Sequence, residues 1–286
     1  MCRFAVYLGA DVRISKLITE PKNSLIHQSF QSQLREEPLN GDGFGIAWYP
    51  AFREEAPALF KSTTPAWSNH NLREVARVTQ THCLLAHVRA ASPGAAVTDL
   101  NCHPFANGRI TFMHNGDLGG FTTLRRQLLA GLSDAAFSSI KGSTDSEHIF
   151  AILLDHLWAQ KQPADPTEAL AQALEATIAS VEELQKTHAP HHTSFLNLVL
   201  CDGESVAVTR YASARGKEDS LYFSVGRTYI CEKGVCRMED VAGAKHTAVI
   251  VASEPLDDGK QWTRVPERHV VLVTPTLDVS VRKIQI

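Results

Sequence analysis

Hydrophobic periodicity divides this chain into three stretches, and that division constrains its fold more than any other feature. Apolar runs of strand length come first, at residues 3–8, 44–49, 84–88 and 110–113. Asn40-Gly-Asp-Gly43 supplies turn chemistry before the second run, and the fourth is read as ending at a His114-Asn-Gly116 turn. Helical spacing takes over in the middle. Thr144 and Glu147 make a capping-box pattern ahead of Ile149, Phe150, Leu153, Leu154 and Leu157. Leu170, Leu174, Ile178, Val181 and Leu184 predict a longer helix after a breaker formed by Pro163 and Pro166. Past residue 193 the pattern returns to strand, at 195–201, 205–211, 221–225, 247–252 and 269–274. A short helix is expected after Pro21, where Ile26, Phe30 and Leu34 recur at four-residue spacing. Strands at both ends with helices between them predict an α+β layered domain. No internal repeat interrupts the pattern, and the loops near 187–193 and 212–220 are too short for linkers. A single domain over residues 1–286 is therefore expected.

Composition narrows the function class. Of the 286 residues, 44% are hydrophobic and 21% charged, which is ordinary for a globular protein and argues against disorder. The formal net charge is −3 and no Lys/Arg block stands out, so neither nucleic acid nor an anionic membrane surface is an expected partner. No apolar run approaches membrane-spanning length, and the N-terminus lacks a signal-peptide pattern. Six cysteines lie scattered at 2, 83, 102, 201, 231 and 236. Without a secretory signal they read as reduced thiols in a cytoplasmic protein.

The chain opens Met1-Cys2-Arg3-Phe4. Removal of the initiator methionine would leave Cys2 with both a thiol and a free α-amine. The amine titrates at roughly 7.7–8.0 and the thiol near 8.5, so both lie close to physiological pH. One residue then supplies a nucleophile and, directly or through water, the base that activates it. A Met-Cys start is also common by chance, so the reading depends on what accompanies it.

Four further positions bear on it. Arg89 ends a strand, where its planar fork suits bidentate capture of a carboxylate, though it equally suits a structural pair with an internal acid. Asn115-Gly116 offers a side-chain amide and a glycine N–H for an oxyanion hole, yet Asn-Gly is also the commonest hairpin signal. Asp145 opens a helix, where the dipole alone explains an acidic residue, or where it receives a substrate ammonium. Residues 40–45 form either a loop closing over the nucleophile or a simple turn. Nucleophile, oxyanion hole, carboxylate clamp and ammonium clamp together match what hydrolysis of a γ-glutamyl amide needs. Fixing both charged ends of the glutamyl group brings its carbonyl within reach of Cys2.

The motifs Met1-Cys2-Arg3-Phe4, Asn40 to Tyr49, Ala86-His-Val-Arg-Ala90, Asn101-Cys-His-Pro-Phe105, Phe112-Met-His-Asn-Gly116 and Gly142-Ser-Thr-Asp-Ser-Glu147 occur in that order. In this combination the chain resembles the class II (N-terminal nucleophile) glutamine amidotransferases, over roughly the first 160 residues. A later segment, Val251-Ala-Ser-Glu-Pro-Leu256, is similar to their stand-alone members. The resemblance implies a four-layer αββα sandwich of two antiparallel sheets. It also implies Cys2 as nucleophile with its own α-amine as base, Asn115 and Gly116 as the oxyanion hole, and Arg89 and Asp145 as the glutamyl clamps. No cofactor is implied.

The branch is suggested by the opening Met-Cys-Arg-Phe, by Gln28-Ser-Phe30 and Thr64-Pro-Ala-Trp67, and by the lack of sequence left over for a synthetase domain. It resembles the stand-alone type that degrades glutathione in fungi. That implies cleavage of glutathione into glutamate and Cys-Gly, with a metallopeptidase-like partner chain. A related branch acts on a γ-glutamyl intermediate of ergothioneine synthesis. Two alternatives stand beside it: a glutaminase supplying ammonia to a partner synthetase, and a non-catalytic binding protein if Met1 is retained.

A zinc site is not expected. His188, His191 and His192 cluster near Pro190, and Cys231 and Cys236 flank a Lys-Gly turn, but no second ligand pair follows at matching spacing. His87, His103 and His114 are read as supporting or packing residues.

Overall fold

A computed structural model describes residues 2–34, 39–50, 55–92, 94–160, 165–232, 235–239 and 246–286. The expectations for Met1, Pro163 and the Lys233-Gly234 turn lie outside these residues. The first part of the chain forms β1 (Arg3–Arg13), α1 (Ser15–Ile18), α2 (Leu25–Gln28), β2 (Phe44–Trp48), β3 (Ala58–Ser62), α3 (His70–Val78) and β4 (Gln80–Val88). The middle carries β5 (Phe105–Asn107), β6 (Ile110–Asp117), α4 (Phe121–Ala130), α5 (Asp134–Ser139), α6 (Asp145–Ala159) and α7 (Pro166–His188). Then come β7 (Phe195–Cys201), β8 (Val206–Arg210), β9 (Tyr222–Gly226), β10 (Thr228–Glu232) and β11 (Val235–Glu239). Last are β12 (Ala248–Ala252), β13 (Thr263–Arg264), β14 (His269–Val273) and β15 (Val279–Lys283).

Among the described residues, two large antiparallel sheets form, in the orders β13-β9-β12-β1-β4-β2-β3 and β15-β14-β8-β7-β6-β5, beside a separate β10-β11 ribbon. Side-chain alternation explains how they stack. Along β1, Phe4, Val6 and Leu8 face a core shared with Met113, Val199 and Val208 of the second sheet. Their neighbours Ala5 and Tyr7 face the opposite way, against Leu17 and Ile18 of α1 and Leu25 and Ile26 of α2. The second sheet behaves likewise. Leu196, Leu198 and Leu200 of β7 pack on α6 and α7, while Val199 and Cys201 face the first sheet. Strict period-two alternation with both faces apolar requires a sheet covered on both sides. Three buried cores thus separate four layers, helix–sheet–sheet–helix, the expected αββα sandwich.

The helices follow their caps. Thr144 accepts the Glu147 N–H at the start of α6. The Glu147 carboxylate does not return to the cap; it binds Lys141 N–H and Gly142 N–H instead. At α7, Asp165 accepts from Thr167 and Glu168, and Pro166 occupies the first turn. Pro166 therefore starts this helix rather than breaking one, because a first-turn residue needs no N–H partner.

Three expectations are corrected. The helix after Pro21 is a single turn, Leu25–Gln28, and Phe30 and Leu34 are exposed, so their spacing with Ile26 does not mark a buried face. Asn115-Gly116 is not a turn but the interior of β6, paired with Asn197 and Leu196 of β7. The cysteines are not all reduced: Cys231 and Cys236 form a disulfide. They are directly opposed across the β10–β11 hairpin, with Cα atoms 4.1 Å apart, and cross-strand neighbours are brought together by the ladder itself. Cys2, Cys83, Cys102 and Cys201 are free and buried.

Candidate active site

The alternation that builds the core between the sheets also builds the site. Cys2 continues the Phe4–Val6–Leu8 face of β1. Arg89 continues Cys83, Leu85 and His87 of β4, Asn115 follows Met113 on β6, and Ser253 follows Val249 and Val251 of β12. All four are aimed into the space between the sheets, at one end, where apolar side chains give way to polar ones. A pocket of about 650 Å³ opens there, lined by Cys2, Arg89, His103, His114, Gly116 and Asp145 among others.

Cys2 is 7% exposed, and its thiol points to the Ala90 carbonyl at 3.6 Å. Burial pushes the thiol pKa above its ordinary value, and the nearby Arg89 charge opposes that shift. Its backbone is fixed from the next residue. Arg3 donates from Nη1 to the Cys2 carbonyl at 2.8 Å and from Nε to Glu254 Oε1 at 2.6 Å. Ser32 and the Gln33 N–H also hold the Glu254 carboxylate.

Arg89 is buried, yet among the described residues its guanidinium makes only two long hydrogen bonds, Nη1 to Asp42 O at 3.5 Å and Nη2 to Ala96 O at 3.3 Å. Among the described residues it has no carboxylate partner, which removes the internal ion pair as its explanation. Residues 40–45 support the arginine from behind. Asp42 N–H donates to Arg89 O, Arg89 N–H donates to Gly43 O, and the Asp42 carboxylate accepts from Ala91 N–H at 2.8 Å. Gly45 is dictated by the same packing, because a Cβ there would lie 2.1 Å from the His103 carbonyl oxygen. Asp145, at the start of α6, lines the pocket while accepting from Leu118 N–H at 2.7 Å and Ser146 N–H at 2.8 Å. These contacts fix the carboxylate against the β6–α4 connection.

Gly116 lines the pocket, and Asn115 is buried beside it. Gly116 has φ +150°, and a Cβ would fall 1.9 Å from the Phe195 carbonyl oxygen, so only glycine fits this close pairing of β6 with β7. Asn115 Nδ2 lies 3.3 Å from Ser253 Oγ, and its Oδ1 is buried without a partner.

Several pocket features escape a reading of the sequence. Asp117 and His192 join the lining. Burial pushes the Asp117 carboxyl above its ordinary pKa, with the Asp145 charge adding to the rise. His103 is buried with both ring nitrogens unpartnered, and burial holds its pKa well below the ordinary value, so the ring is neutral. It stacks 4.2 Å from His87, whose Nε2 meets the His114 carbonyl and ties the Arg89 strand to the Asn115 strand. The only sequence hint for Ser253 and Glu254 is the segment 251–256 already noted.

Residues 17–280 match the family model described as class II glutamine amidotransferases. The chain is 38% identical to a Saccharomyces cerevisiae protein named probable glutamine amidotransferase DUG3, over 97% of this chain and 85% of that one. It is 29% identical to a Mycobacterium tuberculosis protein named gamma-glutamyl-hercynylcysteine sulfoxide hydrolase, covering 96% and 93% of the two chains. A solved glutamine aminotransferase class-II domain protein from Silicibacter pomeroyi superposes over the whole of both chains with a TM-score of 0.67 at 28% identity. Similarity of this extent, joined to the four-layer fold, makes the chain an enzyme of the class II glutamine amidotransferase family.

Proposed function

We propose that this enzyme hydrolyses the γ-glutamyl amide bond of glutathione or a related γ-glutamyl thiol peptide. The observation that carries the reading is Arg89: a buried guanidinium without a carboxylate partner, in the same pocket as a cysteine thiol. A desolvated cation in that state is complementary to a ligand carboxylate. The α-carboxylate of a glutamyl group meets it, and the α-ammonium meets Asp145.

Once Met1 is removed, the Cys2 α-amine takes the thiol proton and the thiolate attacks the γ-carbonyl carbon. The carbonyl oxygen becomes an oxyanion, received by the Asn115 amide and Gly116 N–H. Collapse of the tetrahedral intermediate breaks the C–N bond. The proton held on the α-amine passes to the departing nitrogen, leaving a glutamyl thioester on Cys2. Water, deprotonated by the same amine, then attacks the thioester; glutamate leaves and the thiol is restored. The name of the mycobacterial relative supports a cysteine-derived leaving group, and that of the yeast relative supports the glutamyl end. A metallopeptidase-like partner that takes the released Cys-Gly belongs to the same proposal.

The test is glutamate release by the Met1-processed protein, offered glutathione and glutamine side by side, with Cys2→Ala as control. Faster release from glutathione, lost in the variant, is the expected result. Preference for glutamine would instead assign the enzyme to ammonia supply, and turnover by Cys2→Ala would remove the nucleophile.

A further inference from the structure

Ser253 and Asn115 carry a mismatch that identifies a second role at this site. Ser253 follows directly on β12 and is buried. It brackets the strand behind the nucleophile: its N–H donates to Phe4 O at 3.1 Å, and its Oγ accepts from Phe4 N–H at 3.1 Å. The same Oγ lies 3.3 Å from Asn115 Nδ2. Ser220 Oγ donates to the Ser253 carbonyl at 2.8 Å, so the residue is held from both ends.

A serine hydroxyl offers one proton and two lone pairs. With Phe4 N–H and Asn115 Nδ2 both donating to it, the lone pairs are filled. Its proton then has no acceptor among the described residues, while Asn115 Oδ1 is buried with no donor. An orphan donor and an orphan acceptor thus sit on touching side chains, and leaving each buried group unsatisfied is costly. A half-turn of the asparagine amide about its Cβ–Cγ bond exchanges oxygen and nitrogen with almost no change in shape. The Ser253 hydroxyl then donates to Oδ1 and still accepts from Phe4.

We propose that Ser253 is a positioning residue that holds the Asn115 amide in this second orientation, oxygen toward the serine hydroxyl. The Nδ2 protons are then left without a protein acceptor until the carbonyl oxygen of the substrate gains charge. Donors fixed in advance and unmatched in the resting enzyme are the condition under which an oxyanion is stabilised more than the ground state. One side chain thereby couples the register of the nucleophile strand, through Phe4, to the direction of the oxyanion donor.

The inference rests on the reading of Asn115 as that donor, and a double-mutant cycle separates the two. Asn115→Ala should lower kcat by about 10²–10³. Ser253→Ala should lower kcat by about tenfold, the upper range of one net hydrogen bond, with KM little changed. In the Asn115→Ala background Ser253→Ala should cost less than about twofold, because its target is gone. Ser253→Thr, which keeps the hydroxyl, should recover most of the loss. Equal losses in both backgrounds, or no loss in the first, overturn the role of Ser253 while leaving Asn115 in place. A rate within about twofold of wild type for Asn115→Ala alone overturns the reading beneath it, and this inference with it. Should Ser253→Ala not fold, as judged by its melting temperature, Ser253→Cys carries the same cycle with a weaker donor of similar size.

Discussion

Two arginines lie at the same end of the sandwich, equally deep, and the protein treats them in opposite ways. Arg3 is 1% exposed and Arg89 4%. Arg3 sits in a complete set of partners: the Glu254 carboxylate at 2.6 Å, Ser32 Oγ at 2.5 Å and the Cys2 carbonyl at 2.8 Å. Arg89 has two carbonyl oxygens at 3.3 and 3.5 Å and, among the described residues, no counter-charge. Burying an ion is costly unless another charge meets it with good geometry. The first arginine meets its charge within the fold and fixes the backbone of Cys2. On the proposed reading, the second meets its charge in the carboxylate of a ligand.

The largest expected effect tests the satisfied member. Glu254→Ala strands the Arg3 charge in a buried position and should lower the free energy of unfolding by about 3–5 kcal/mol, measured by urea titration. Arg89→Met, of similar volume, should cost little stability or raise it, since it removes a charge that has no partner. Equal destabilisation by the two variants would abolish the distinction between them.

The next effect reverses the ranking. Arg89→Met should lower kcat/KM for a γ-glutamyl substrate by about 30-fold or more, the low end of the 2–5 kcal/mol for removing one member of a buried charge pair. Arg89→Lys should chiefly raise KM, because a point charge cannot reproduce a two-pronged contact. An unchanged KM in the lysine variant would take the carboxylate away from Arg89 and leave the comparison without its functional half.

The sequence makes parts of this arrangement visible and hides others for definite reasons. Strands buried on both faces, such as β7, interrupted only by Asn197, and β12, are apolar runs and were legible to within a residue. β10 and β15 are not, because partly exposed strands such as Thr228–Glu232 mix polar and apolar residues without a clean period. Asn115-Gly116 misleads because the dipeptide favours a turn. Here the glycine is required by the approach of the Phe195 carbonyl, a contact 79 residues away in sequence. Cys2 stands out because it follows Met1, and Arg89 because it matches the family motif Ala86-His-Val-Arg-Ala90. Their sharing of one pocket, and the contact of Ser253 with Asn115 across 138 residues, exist only after the two sheets have stacked.

The smallest effect comes from the surroundings of the unsatisfied arginine. His87, on the strand that leads into Arg89, packs its ring against that of His103 at 4.2 Å. Burial lowers the His87 pKa to about 3 and holds that of His103 well below its ordinary value of 6.5, with the Arg89 charge contributing to both. Above pH 6.5 each ring is neutral in the folded and unfolded chain alike, and neither affects stability. Below 6.5 the unfolded chain takes up the two protons and the folded one does not, so stability falls as pH falls, down to about 3 where folded His87 also titrates. At pH 5.5 the cost from His87 is about 1.4 kcal/mol, and His103 adds to it in the same direction. Urea titrations at pH 7.5 and 5.5 measure it. His103→Gln should reduce that pH-dependent loss, and Glu254→Ala should leave it unchanged, since Arg3 is not among the causes of either shift. A fall of the same size in the His103→Gln protein would mean that the acid sensitivity arises elsewhere than in this buried ring.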